Sequence, residues 1–380
     1  MRLLFFTPLL STRGGIERTL IDKANYLVER RHEVMIVTYE HVGPVAYELS
    51  QKVRHVDLDC HYFSIYRFPL YMRPWMALKL KRLFRQKMKC VIDEFRPDTI
   101  AITIPNTENY LCDIISVSGL IPVIIESHLA EGYEAIKSGV TEKLMLFFFN
   151  PLKAIKKANL LISLTKGDAA CWCRKGVENI KVLSNPLTHY EGLLSSVRKI
   201  EGRIICVGRL TKQKRFDRLI NAFSLIADKY PTWYIDIYGE GDEYNRLMDQ
   251  ISYMGLSNRV HIISPTNNIY YEYQRSQFLV LSSDFEGFGL VIVEAMACGI
   301  PVVATDCPFG PSDIIKDNET GLLCKMDVNS LAEKMEWMMS HDEERQMMGN
   351  KAHEVAGLYR KELIIPKWEQ TYMSCDYINM

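Results

Sequence analysis

Two glutamates eight positions apart, Glu286 and Glu294, bracket the turn Gly287-Phe288-Gly289-Leu290. A carboxylate accepts hydrogen bonds from vicinal hydroxyls such as those of a ribose or a hexose. Glycine lets a backbone come close to a ligand, and the free N–H groups that open a helix, at its positive dipole end, attract phosphate. Carboxylates for hydroxyls beside N–H groups for phosphate suit a nucleotide sugar.

Such residues work only if the chain holds them at one end of a sheet. The apolar run Phe278-Leu279-Val280-Leu281 reads as a buried parallel strand, which puts Glu286 to Gly289 at its carboxyl end, where open α/β sheets bind ligands. The run from Leu290 reads as a helix with Glu294 on its second turn. Similar strands are expected at Leu3 to Phe6, Glu33 to Tyr39, Thr99 to Thr103, Pro122 to Glu126, Leu160 to Leu164 and Lys181 to Leu183. A second series is expected at Arg203 to Val207, Tyr234 to Tyr238, Val260 to Ile263, Phe278 to Leu281, Val302 to Ala304 and Leu322 to Cys324. Amphipathic segments alternate with these runs, the βαβ pattern of two doubly wound parallel sheets, and the polar stretch Asn185 to Gly202 suits a linker between them.

The paired glutamates and their glycine turn resemble an element of the retaining, family 4-like glycosyltransferases of the GT-B fold, the glycosyl transferases of group 1. Three further matches follow the family's order along the chain. Gly14-Gly15 lies between the first strand and first helix, His128 follows the strand Val123 to Ser127, and Gly208-Arg209 with Lys214 follows the strand at Ile204. The resemblance implies two Rossmann-like domains facing a central cleft: an acceptor-side domain over 1–186, a nucleotide-sugar domain over 187–360, and a terminal helix over 361–380 packing back on the first. It casts Arg209 and Lys214 as the cations that hold the diphosphate, and Glu286 as the residue that fixes the sugar hydroxyls. Gly287, Phe288, Gly289 and Leu290 would donate from the backbone, Glu294 would hold the ribose, and Gly15 would lie against the donor. His128 would orient the sugar and steady the developing oxocarbenium charge. Retention, a front-face route without a protein nucleophile, and independence of cofactors and divalent metal are implied in the same way. The expected partners are a nucleotide diphosphate sugar and a lipid-linked or polysaccharide acceptor. One departure stands out: where relatives show a Gly-Gly turn, this chain has Thr305-Asp306-Cys307-Pro308-Phe309-Gly310-Pro311.

Formal net charge is zero over 380 residues, yet the first half is basic and the second acidic. No nucleic-acid partner is expected. Residues 67–89 interleave Lys and Arg with Tyr66, Phe68, Tyr71 and Trp75, a composition able to rest on an anionic membrane surface. The ten cysteines form no C-x-x-C pair, and no cleavable export signal or membrane span is legible, so a cytoplasmic location on the inner membrane face is expected. Two other readings start from the same sheets. A nicotinamide-dependent oxidoreductase would need a G-x-G-x-x-G turn, which residues 7–18 lack. A non-catalytic sugar-nucleotide-binding protein would not need the cationic pair.

Overall fold

Runs such as Leu3-Leu4-Phe5-Phe6 and Ile204-Ile205-Cys206 are apolar at every position, so both faces of each strand must be covered. The computed structural model, which describes residues 1–104, 108–128, 151–190 and 197–374, builds them into two all-parallel sheets. Residues 191–196 of the expected linker and 375–380 of the expected terminal helix lie outside the described residues. The chain divides into unit 1, Met1–Ser184 with Ile365–Met380, and unit 2, Asn185–Ile364.

In unit 1 the strands are β1 (Arg2–Phe6), β2 (Glu33–Thr38), β3 (Arg54–Asp57), β4 (Thr99–Ile104), β5 (Val123–Ser127), β6 (Leu160–Ser163) and β7 (Ile180–Val182). They lie in the order β3-β2-β1-β4-β5-β6-β7. The helices are α1 (Gly15–Glu29), α2 (Arg73–Phe95), α3 (Glu108–Val117), α4 (Pro151–Ile155) and α5 (Lys166–Arg174). β3 is an addition to the strands expected from sequence. It is a partly exposed edge strand, paired only with β2 within the sheet, so Arg54-His55-Val56-Asp57 carries no continuous apolar signal.

The face of α2 toward the core carries Ala77, Lys81, Phe84, Met88, Ile92 and Phe95. Lys81 is therefore not part of the basic surface expected of residues 67–89 at an anionic membrane: it is buried, and its Nζ lies 3.1 Å from Asp113, which also takes Arg85 at 2.5 Å. Tyr71, Trp75, Leu78 and Leu83 remain exposed beside Lys79, Arg82 and Lys89. Among the described residues no helix is long and apolar enough to cross a membrane.

Unit 2 has β8 (Arg203–Val207), β9 (Tyr234–Tyr238), β10 (Val260–Ile263), β11 (Phe278–Leu281), β12 (Val302–Thr305) and β13 (Gly321–Cys324), ordered β10-β9-β8-β11-β12-β13. Its helices are α6 (Phe216–Ser224), α7 (Tyr244–Tyr253), α8 (Ile269–Gln274), α9 (Leu290–Ala297), α10 (Pro311–Ile314), α11 (Val328–Ser340) and α12 (Asp342–Ala356). The last helix, α13 (Lys361–Ser374), starts in unit 2 and belongs to unit 1 from Ile365 on, where Trp368 Nε1 donates to the Ser184 carbonyl at 2.9 Å. In each sheet the chain reverses its direction of growth at one place, between β1 and β4 and between β8 and β11. A doubly wound sheet opens a crevice at the carboxyl ends of such a pair.

Candidate active site

The unit 2 reversal point is where the singled-out residues gather. Gly208 and Arg209 leave the end of β8, and a short turn, Lys212–Lys214, follows. That turn is stitched to the segment leaving β11: Asp284 N donates to the Gln213 carbonyl at 2.9 Å, Gln213 Nε2 to the Phe285 carbonyl at 2.8 Å, and Ser282 Oγ to the Lys214 carbonyl at 2.8 Å. Arg218 secures the same segment through the Ser282 carbonyl and Asp284. Gly208 leaves room for the Lys214 stem, whose Cε would lie 3.2 Å from any added Cβ.

The result is contact between two of the singled-out side chains. Lys214 Nζ lies 2.6 Å from Glu286 Oε1, with the lysine side chain 16% and the glutamate side chain 8% exposed. Ser283 Oγ donates to the same oxygen at 2.6 Å. Arg209 is exposed at the end of β8. Gly287 and Phe288 continue from Glu286, and Gly289 has φ +89°, a left-handed conformation open to glycine, before Leu290 begins α9. The N–H groups at that helix start thus follow Glu286 closely along the chain.

Glu294 faces inward from α9 and is 3% exposed, accepting a hydrogen bond from the Tyr273 hydroxyl of α8 at 3.0 Å. The turn that departs from the family pattern is built into the site. Glu286 N donates to the Pro308 carbonyl at 2.9 Å, and Phe309 N donates to the Glu286 carbonyl at 3.0 Å. Ser283, Tyr273 and this backbone pairing were not read from sequence. Among the described residues no group of three or more His, Cys, Asp or Glu is placed to hold a metal ion.

The other two residues belong to unit 1. Gly15 opens α1 beyond the end of β1. His128 follows β5, its backbone N–H donating to the Ile104 carbonyl at 3.0 Å. Its ring is buried, with Nε2 3.1 Å from Glu126 Oε2. Burial pushes the His128 imidazole below its ordinary value, against the raising effect of the Glu126 hydrogen bond and charge.

The profile described as glycosyl transferases group 1 matches residues 196–355, and that described as glycosyltransferase family 4 matches residues 13–189. The chain belongs to the group 1 glycosyltransferases. This glycosyltransferase is 24% identical to the amylovoran biosynthesis glycosyltransferase AmsD of Erwinia amylovora over 97% of the chain and 98% of that protein. It is 26% identical to a PP-undecaprenol-glycan alpha-1,4-N-acetyl-D-galactosaminyltransferase of Campylobacter jejuni over 93% of the chain and 92% of that protein. The crystal structure of TarM superposes with a TM-score of 0.79 at 17% identity, covering 98% of each chain. With two parallel sheets of seven and six strands, the glycosyltransferase has the GT-B fold.

Proposed function

We propose that this glycosyltransferase transfers a hexose or N-acetylhexosamine from a nucleotide diphosphate sugar to a hydroxyl of a lipid-linked or polysaccharide acceptor, in the assembly of a cell-surface glycan. The observation that carries this reading is the Lys214–Glu286 contact at the β8/β11 reversal point, beside the glycine turn into α9. A partly exposed cation paired to one carboxylate, together with the N–H groups that open a helix, can take a diphosphate. The carboxylate it holds can accept from sugar hydroxyls. The named glycan enzymes among the relatives support the acceptor class.

In this reading Arg209 and Lys214 stabilise the charge that grows on the departing diphosphate, the largest electrostatic task in the reaction. Gly287 to Leu290 add backbone donors, Glu286 fixes the sugar, and Glu294, aligned by Tyr273, takes the ribose. The acceptor oxygen bonds to the anomeric carbon as the bond to the diphosphate breaks. The acceptor's proton passes to the leaving phosphate, so configuration is retained and neither a protein nucleophile nor a divalent metal takes part. We place the enzyme on the cytoplasmic face of a membrane, with the exposed face of α2 around Trp75, Lys79 and Arg82 toward an anionic leaflet. Incubating the full chain with a panel of UDP-, GDP- and dTDP-sugars, with and without glycan-lipid acceptors, tests the reading. Release of nucleoside diphosphate from one or a few donors is expected. Binding without turnover across the panel would favour a non-catalytic sugar-nucleotide-binding protein.

A further inference from the structure

His128 sits in a cluster more elaborate than a structural histidine requires. Successive residues of a strand alternate faces, so Glu126, two positions earlier, shares the histidine's side of β5. Glu126 is fully buried and receives three groups: Lys23 Nζ from α1 at 2.6 Å, the Tyr372 hydroxyl from α13 at 2.6 Å, and His128 Nε2 at 3.1 Å. Lys23 is equally buried, with Nζ 3.2 Å from the Tyr372 hydroxyl and 3.9 Å from the centre of the Trp368 ring. Burial alone would push the Glu126 carboxyl up, but the Lys23 charge and the His128 hydrogen bond hold it down to about 2.

A carboxylate only accepts, so the proton of the shared hydrogen bond belongs to His128 Nε2. Burial lowers the ring's affinity for a second proton, and in the neutral ring a proton on Nε2 leaves Nδ1 a bare lone pair. That nitrogen is buried and, among the described residues, has no hydrogen-bond partner. Buried polar atoms left unmatched in a folded chain are few. Here every other polar atom of the cluster is paired, and the unmatched one sits at the carboxyl end of a sheet strand, where such folds meet their ligands.

We propose that Glu126, clamped by Lys23 and Tyr372, is a positioning residue that locks His128 in its Nε2–H tautomer, so that Nδ1 accepts a hydrogen bond from a sugar hydroxyl. This rests on the reading of the chain as a sugar transferase and adds to it the protonation state of one residue and the three that enforce it. A lone pair facing the sugar also suits an oxocarbenium-like transition state, which an imidazolium would repel. The terminal helix α13 thereby becomes part of the histidine's support through Tyr372 and Trp368.

Long-range proton–nitrogen spectra of the full chain labelled with nitrogen-15 histidine, assigned by loss of signal in His128→Asn, read the tautomer at neutral pH directly. A neutral Nε2–H ring is expected, and its Nδ1 signal should shift when a consumed donor is added. An Nδ1–H tautomer or an imidazolium would overturn the proposal whether or not the enzyme is active. The double variant Lys23→Met with Glu126→Gln strands no buried charge and lets the amide donate to Nε2. It should lower kcat about 100-fold while leaving KM nearly unchanged, and its spectrum should show the other tautomer. If that variant does not fold, Tyr372→Phe, which removes one contact to Glu126, should lower kcat about tenfold. Wild-type kcat in either folded variant, or a double variant that loses kcat with its tautomer unchanged, would refute the assignment; Tyr372→Phe, which keeps the charged Glu126, should keep the Nε2–H tautomer. Failure of the wild type to turn over any sugar nucleotide would instead sink the functional reading, with the tautomer still decided by the spectrum.

Discussion

Glu286→Gln separates the two halves of the donor site. In the free protein the Glu286 carboxylate binds Lys214 at 2.6 Å and the Ser283 hydroxyl at 2.6 Å. A glutamine carbonyl can keep both hydrogen bonds but not the charge. A charge-assisted bond contributes about 1.5–3 kcal/mol and a neutral one about 0.5–1.5 kcal/mol, so the variant relaxes its hold on the lysine by roughly 1 kcal/mol. An incoming diphosphate then competes with a weaker partner. Since about 1.4 kcal/mol is tenfold in a binding constant, free nucleoside diphosphate should bind roughly fivefold more tightly. The intact sugar nucleotide loses a carboxylate contact to its hydroxyls and should gain little or nothing, while turnover falls. Calorimetry with nucleoside diphosphate and with the consumed donor, beside steady-state transfer rates, measures all three. A loss of nucleoside diphosphate affinity in Glu286→Gln as large as in Lys214→Ala would refute the division of labour between the two side chains.

Transfer should persist in excess chelator, because the proposed charge on the leaving group is met by side chains and helix N–H groups; abolition by chelator with recovery on adding magnesium or manganese would contradict it. Lys23→Met strands the buried Glu126 charge and should cost about 3–5 kcal/mol of stability at pH 7, read by denaturant unfolding. In the wild type the same carboxylate, held down to about 2 against an ordinary value of 4.5, contributes stability that is complete above pH 4.5 and lost as pH falls toward 2. Unfolding curves from pH 7 to 3 should show that loss, and a flat profile would speak against a charged Glu126. Changing the exposed Lys79, Arg82 and Lys89 to glutamine should weaken binding to anionic vesicles by about 1 kcal/mol per residue at low salt. Donor hydrolysis should be unaffected, and undiminished flotation would remove α2 as the contact.

Strands buried on both faces were legible where their apolar runs are uninterrupted: β11 and the Ile204–Val207 run of β8 fall on the expected residues. The edge strand β3 was not, since Arg54-His55-Val56-Asp57 has a single aliphatic residue and is partly exposed. Within the candidate site, spacing along the chain identified Glu286, the glycine turn and the helix start. It could not identify partners that fold back from elsewhere, such as Tyr273 for Glu294 or Tyr372 for Glu126, the latter 246 positions away. Two signals were nevertheless present. Glu126 is a carboxylate inside the otherwise apolar strand Val123-Ile124-Ile125, and Lys23 shares a helix face with Leu20, Ala24 and Leu27. A charged residue at a core position asks for a buried partner. Lys81, at helical spacing from Ala77, Phe84 and Met88, asked the same question and finds its answer in Asp113.

The claim on which the account turns is that Arg209 and Lys214 hold the diphosphate more tightly in the transition state than in the ground state. Steady-state kinetics of Arg209→Ala and Lys214→Ala with a consumed donor, set beside calorimetric affinity for the nucleoside diphosphate, test it most directly. Each variant loses a charge-assisted bond of about 1.5–3 kcal/mol, so kcat should drop roughly tenfold to 100-fold, and affinity for the nucleoside diphosphate should drop by less. Near-normal kcat in both variants would contradict the claim.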